Sequence, residues 1–299
     1  MLYSTQTPQE KRTAFRAGLA SGRLQRFPGA FNPLSARLIE AKAFDGVYIS
    51  GAVVAADLGL PDIGLTTLTE VSDRARAIAR MTDLPALVDA DTGFGEPMNV
   101  ARTVQTMEDA GLAGMHIEDQ VNPKRCGHLD GKQVVDEDTA LKRIRAAVDA
   151  RRDPGFVIIA RTDIRAVDGL DATLDRVRKL ADAGADVVFP EALTSLEEFE
   201  RVRAVTSLPL LANLTEFGKS ELFSVSQLES VGINMVIWPV SLLRLAMGAA
   251  VDGLDASTET GHLRDKLSQM QHRADLYDLL DYESYTAFDS SVFNFSIAR

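Results

Sequence analysis

The sequence predicts an α/β fold, a (β/α)8 TIM-type barrel, and three observations lead there. Short apolar runs alternate with amphipathic stretches, the runs number eight, and no glycine-rich phosphate fingerprint follows the first. Alternating strand and helix implies parallel strands joined by right-handed crossovers. Eight units favour a closed ring over an open doubly wound sheet, and the missing fingerprint disfavours a dinucleotide fold. Such a barrel typically takes ~250 residues. The chain's 299 residues therefore leave room for a modest extra segment.

The first run, near residues 24–30, is the weakest. The others span 46–50, 86–90, 114–118, 156–161, 186–191, 208–213 and 234–238. Each is short, rich in Val and Ile and bounded by turn residues, as a buried parallel strand should be. Between them, residues 98–110, 139–150, 170–183, 196–205 and 240–253 repeat apolar side chains at helical intervals. Gly111 and Gly184 cap two of these helices just before the next strand. The chain reads as one domain over 1–299. Its last part, 255–299, is a helical extension too poor in apolar residues to fold alone, packed on the barrel or swapped with a neighbouring subunit.

Composition closes off several functions. With 32 basic and 43 acidic side chains, the formal charge of −11 gives no electrostatic reason to seek nucleic acid or an anionic membrane. No apolar stretch approaches the ~18 residues of a transmembrane span. The single cysteine excludes an intrachain disulfide and suits a reducing compartment. The first 20 residues read neither as a secretory signal nor as a presequence, so a cytoplasmic location is expected.

Barrel active sites gather at the C-terminal ends of the strands. Those ends carry Tyr48 and Ser50, Asp89 and Asp91, His116 and Glu118, Arg161 and Asp163, Glu191, then Asn213 and Thr215. Residues i and i+2 of a strand face the same way, so these pairs converge on one mouth. Turn capping explains any one of them but explains the whole set poorly. Asp62, Asp89, Asp91, Glu118 and Glu191 form an acidic group that is costly to assemble without a cation or protons. An all-oxygen set suits Mg2+, or Mn2+, rather than Zn2+. The alternative is a plain salt-bridge network with Arg161 and Lys124. After the fourth run, Cys126 sits among Lys124, Arg125 and His128, cations that favour a reactive thiol. Gly127 and Gly131 suit a segment that closes over substrate.

Lys124-Arg125-Cys126-Gly127-His128 resembles the signature loop of the isocitrate lyase and phosphoenolpyruvate mutase superfamily. Tyr48-Ile49-Ser50-Gly51, Leu60-Pro61-Asp62, Val88-Asp89-Ala90-Asp91-Thr92-Gly93-Phe94-Gly95 and His116-Ile117-Glu118-Asp119-Gln120 agree with that family in order. So do Ala160-Arg161-Thr162-Asp163, Phe189-Pro190-Glu191 and Ala212-Asn213-Leu214-Thr215-Glu216-Phe217-Gly218. The length is similar to that of the short lyase branch, which cleaves 2-methylisocitrate to pyruvate and succinate. Sibling activities on isocitrate, oxaloacetate or phosphonates are the alternatives, with a catalytically dead binding barrel as the non-enzyme one.

The resemblance implies that Asp89 coordinates Mg2+ (or Mn2+), with Asp91, Asp62 and Glu118 holding its waters. It implies that Ser50, Gly51, Ala52, Cys126, Gly127, Arg161, Glu191, Asn213, Thr215, Arg244 and Arg273 contact a small tricarboxylate. By the same resemblance Cys126 protonates the leaving carbanion. Tyr48 is the choice for the hydroxyl base. Ala52-Val53 departs from the family, where more glycine is common. Phe189 and Ile237 stand where a methyl-recognition pocket would be, or are ordinary barrel packing. The family also implies a homotetramer that exchanges C-terminal helices.

Overall fold

The computed structural model describes residues 4–127 and 131–293. Its strands are β1 (Gln25–Pro28), β2 (Val47–Ile49), β3 (Ala86–Asp89), β4 (Gly114–Glu118), β5 (Val157–Thr162), β6 (Val187–Pro190), β7 (Leu211–Asn213) and β8 (Met235–Trp238). They form two parallel arcs, β2-β3-β4-β5-β6 and β1-β8-β7. Single parallel bridges, Gly29 to Tyr48 and Val188 to Leu210, join the arcs at both seams. At one seam Ala30 N–H donates to the Tyr48 carbonyl at 2.8 Å, and at the other Val188 N–H donates to the Pro209 carbonyl at 3.0 Å. The strands thus close into the expected ring.

The pleat sorts the side chains. Phe27, Tyr48, Leu87, Ile159, Phe189, Leu211, Met235 and Ile237 fill the interior, while Ile49, Val88, Met115, Ile117 and Ile158 face the surrounding helices. Successive residues of a strand point to opposite faces, and the inside is a packed core rather than a pore. Phe189 and Ile237 belong to that packing.

The five expected helices are Pro97–Asp109, Glu137–Ala150, Arg165–Asp182, Leu196–Arg203 and Ser241–Thr260. The third begins earlier than its apolar repeat because Gly169, at φ 83°, breaks the helical path and leaves the regular pattern only beyond it. Helix Pro8–Ala20 was not foreseen. Thr7 and Glu10 build a capping box and Pro8 opens the helix, which is a legible start signal. Its buried face, however, carries Lys11 and Arg12 where apolar residues would be sought. Both are satisfied by carbonyls, Lys11 Nζ donating to Ala79 at 2.8 Å and Arg12 Nε to Leu112 at 2.9 Å. Phe15 and Leu19 from this helix join the interior cluster and cover the N-terminal end of the ring, Phe15 packing on Phe27 with ring centroids 5.1 Å apart. Burying a phenylalanine contributes about 1.5–3 kcal/mol.

Helix Ser241–Thr260 runs through residue 255, the expected start of the extension, without a break. A 3-10 turn (Arg264–Gln269) and helices Arg273–Leu279 and Tyr282–Phe293 follow. This tail touches its own barrel where Arg37 Nε donates to the Leu279 carbonyl at 2.7 Å. Among the described residues no helix is long and apolar enough to cross a membrane.

Candidate active site

The C-terminal ends of the strands enclose a cavity of about 250 Å3. Of the residues singled out in the sequence, Tyr48, Ser50, Ala52, Asp62, Asp89, Cys126, Gly127, Arg161, Glu191, Asn213, Thr215 and Arg244 line it. Gly51 lies just beneath. Its N–H faces Asp89 Oδ2 at 3.3 Å, and a β-carbon there would stand 2.9 Å from the same oxygen. Asp91 and Glu118 are buried behind the wall. Arg273 is exposed on helix Arg273–Leu279 and is not among the lining residues, so a single chain does not bring it to this cavity. Helix Arg273–Leu279 lies against helix Pro33–Ala41 instead. His128 lies outside the described residues. A larger groove of about 650 Å3 runs on the outer side of Asp91 and Thr92, but it holds neither the cysteine nor Arg161.

Register explains the convergence. Asp89 pairs with His116 across β3 and β4, Glu118 with Arg161 across β4 and β5, and Arg161 with Phe189 across β5 and β6. Arg161 is the hub. Its guanidinium reaches Asp163 Oδ2 at 2.9 Å, Glu118 Oε2 at 3.3 Å and Glu191 Oε2 at 3.4 Å, and it lies over the Phe189 ring at 5.2 Å. Asn213 Nδ2 donates to Glu191 Oε2 at 3.3 Å. Across the mouth, Arg244 donates to Thr215 Oγ1 at 3.2 Å and to the Glu216 carbonyl at 2.6 Å.

The second cation inside the acid cluster is Lys124. It pairs with Asp62 and, at 2.8 Å, with Asp91 Oδ1. The sequence allows this lysine two places, beside the thiol or in a salt-bridge network with the acids. Its ammonium points into the carboxylates, because the strongest local attraction comes from there. Burial opposes its charge, yet Asp91, Glu118 and Asp89 outweigh burial and raise its pKa well above the lysine norm.

The salt-bridge network therefore exists, but it does not satisfy the acids. Neither carboxyl oxygen of Glu118 has a hydrogen bond, its Oε2 meeting Arg161 only as an ion pair. Burial, then the charge of Asp89, pushes Asp91 up to about 6. Burial likewise lifts Glu118 well above the carboxylate range. Asp91 is also held at φ 45°, off the usual region for a non-glycine residue. A buried carboxylate without hydrogen bonds, beside others that outnumber the nearby cations, calls for a further compensating charge. Among the described residues no three His, Cys, Asp or Glu side chains are grouped to hold an ion directly. Mg2+ needs no such group, since it binds through one or two carboxylates and keeps several waters. The donor set fits such an ion.

Tyr48 is buried, and its hydroxyl lies 2.7 Å from His116 Nε2. The other ring nitrogen, Nδ1, faces Asp89 Oδ1 at 3.6 Å. Burial lowers His116 to about 4, so the ring is neutral. A neutral ring with Nδ1–H toward Asp89 accepts from Tyr48 at Nε2, a tautomer assigned from its neighbours. Burial, then Asp89, raises Tyr48 well above 10. Tyr48 thus stays protonated, and any base role must pass its own proton onward. In the sequence His116 stands at a strand end, and nothing there assigns it a role.

The loop after β4 is closed at its base. Gln120 bridges to Val134, Val121 N–H donates to the Gln133 carbonyl at 2.9 Å, and Gln120 bonds Arg125 through both main-chain groups at 2.8 Å. Gly127 rests on the Arg161–Glu191 pair. A β-carbon there would fall 2.7 Å from Glu191 Cγ and closer still to the guanidinium. Only glycine allows this approach.

The sequence model of the phosphoenolpyruvate phosphomutase family matches residues 15–257. The chain belongs to this family. Within the wider isocitrate lyase and phosphoenolpyruvate mutase superfamily it is similar to a Corynebacterium glutamicum protein named "Probable 2-methylisocitrate lyase 2". The two are 59% identical over 98% of this chain and 95% of that one. Among solved structures it is similar to a 2,3-dimethylmalate lyase, with TM-score 0.88 and 33% identity over 99% of this chain and 100% of that chain. A phosphonopyruvate hydrolase solved with oxalate and Mg++ gives TM-score 0.85 and 28% identity over 95% and 99% of the two chains. These family members share the barrel and differ in the substrates their names state, so specificity lies in the residues of the mouth.

Proposed function

We propose that the chain is a divalent-metal-dependent carbon–carbon lyase that cleaves the tricarboxylate 2-methylisocitrate to pyruvate and succinate. One observation carries the reading: the only cysteine opens into the same cavity as Asp89, Arg161, Glu191 and Asn213. The 59% identical relative bears the same activity in its name.

Asp89 would hold Mg2+ or Mn2+, with Asp62, Asp91 and Glu118 around its waters. When bound, the ion lowers the pKa of a chelated hydroxyl and favours the carbonyl formed as the bond breaks. Arg161 and Arg244 suit the substrate carboxylates, since a guanidinium binds them through two parallel bonds. Ser50 and Ala52 line the cavity for the substrate, and Gly51 beneath them turns its N–H to Asp89. Tyr48 takes the hydroxyl proton while passing its own to His116 Nε2, so neither oxygen is left charged. Electrons of the breaking bond move to the succinate half, where Asn213, Thr215 and the N–H of Gly127 stabilise the aci-carboxylate. Cys126 protonates the carbon and completes succinate. Arg273 would serve the mouth of a neighbouring subunit.

The expected assay result is pyruvate release from 2-methylisocitrate, abolished by EDTA and restored by Mg2+ or Mn2+. Glyoxylate from isocitrate at a higher kcat/KM would overturn the substrate, and turnover indifferent to EDTA would overturn the metal.

The same reading includes a homotetramer built through the C-terminal helices. Leu245, Met247, Val251, Leu254, Leu267 and Phe288 are all exposed on this one segment. Scattered apolar residues are normal on a surface, but a concentration of them marks a contact. Sedimentation should give a tetramer for the intact protein and smaller species for the double substitution Leu245→Glu, Leu254→Glu. A wild-type monomer at micromolar concentration would rule the assembly out.

A further inference from the structure

We propose that Lys132 is a positioning residue that holds the cysteine-bearing limb of the loop against the barrel and ties that limb to Arg161. Lys132 stands on the return limb, two residues before the bridge of Val134 to Gln120. Its side chain is 1% exposed. The ammonium donates to the main-chain carbonyl of Gly127, the residue after Cys126. It also donates to Asp163 Oδ1 at 2.9 Å. Asp163, wholly buried, accepts in turn from Arg161 Nε at 2.9 Å and Nη2 at 3.2 Å. Its own N–H donates to Asp119 Oδ1 at 2.9 Å, and Asp119 is fixed by Arg176 and Thr162, each at 2.7 Å. One cation therefore joins the outgoing limb, the return limb and the end of β5.

The physical reason for a lysine here is geometric. A buried ion pair is a poor device for stability, since an apolar pair of the same size often does as well. An apolar side chain, however, leaves the Gly127 carbonyl without a donor. That carbonyl belongs to the peptide that follows Gly127, so its bond to Lys132 anchors the chain one residue beyond Cys126 and restricts where the thiol points. Asp163 carries the other half: a carboxylate shared by Lys132 and Arg161 orients the guanidinium only while Lys132 is docked. Limb docking and the aim of Arg161 are thereby one event. The placement of Gly127 on the Arg161–Glu191 pair makes the same connection from the other side.

This inference rests on the lyase reading for its kinetic part and is independent of it for its chemical part. With one cysteine in the chain, intact-mass measurement after reaction with N-ethylmaleimide reports Cys126 alone. In the full-length protein with Mg2+ and succinate, Lys132→Met should raise the labelling rate about tenfold, as an undocked limb exposes the thiol. Its kcat should fall about a hundredfold with KM within about threefold, the pattern of a lost transition-state geometry. Lys132→Arg, which keeps a cationic donor, should recover most of both. If Lys132→Met does not fold by circular dichroism, Lys132→Gln carries the comparison under the same criteria. Wild-type labelling in the folded variant overturns the proposal, whatever happens to kcat. Faster labelling in a protein whose wild type never releases pyruvate overturns the lyase reading and leaves the docking role intact.

Discussion

Cys126→Ser should lower turnover of 2-methylisocitrate about a thousandfold, in the range that general acid catalysis supplies. A serine hydroxyl occupies nearly the same space but gives up its proton far less readily than a thiol. Substrate and metal should still bind, since the cavity wall is otherwise formed by Asp89, Arg161, Glu191 and Asn213. The measurement is steady-state pyruvate release beside calorimetric Mg2+ binding and a thermal melt. Retention of most of the activity would remove Cys126 as the acid. A lost fold would instead mean that the thiol is structural.

Arg161 should give the largest combined effect on stability and rate. Its side chain is 8% exposed and faces three acids, Glu118, Asp163 and Glu191. Removing one partner of a buried charge pair costs about 3–5 kcal/mol, so Arg161→Met should lower the unfolding free energy by an amount in that range. Arg161→Lys restores the charge but not the planar fork. It should therefore regain most of the stability while kcat/KM stays at least about a hundredfold down, which corresponds to roughly 2.7 kcal/mol of lost transition-state binding. Denaturant melts and kcat/KM on the same two variants test this. A lysine variant with wild-type kcat/KM would show that Arg161 acts only through its charge.

Much of this was legible in the residues. The two-residue spacing of His116 and Glu118, or of Asn213 and Thr215, follows from the pleat, and strand ends identify the active face of a barrel. Those rules brought seven of the named residues to one cavity, Tyr48, Ser50, Asp89, Arg161, Glu191, Asn213 and Thr215, while Ala52, Gly127 and Arg244 came only with the resemblance. What escaped did so for physical reasons. Lys11 and Arg12 hid the first helix, because carbonyl partners let charged side chains occupy positions an amphipathic pattern assigns to apolar ones. Lys132 and Asp119 matter through distant partners, and no local spacing announces a contact between a loop lysine and the carboxylate ending β5. Lys124 had two readings, neighbour of the thiol and partner of the acids, and four nearby carboxylates decide for the second. Arg273 belongs to a question of assembly, which lies beyond one chain's own packing.

Phe15 and Leu19 give the ring a sealed floor. A reaction that turns one molecule into two is then served by a single doorway. The fragments must leave in a queue, the one nearer the rim first, and the deeper one waits on it. Which product inhibits competitively against substrate therefore follows from the side chains that fill the ring beneath the cavity, a packing that Phe15 and Leu19 complete at the far end.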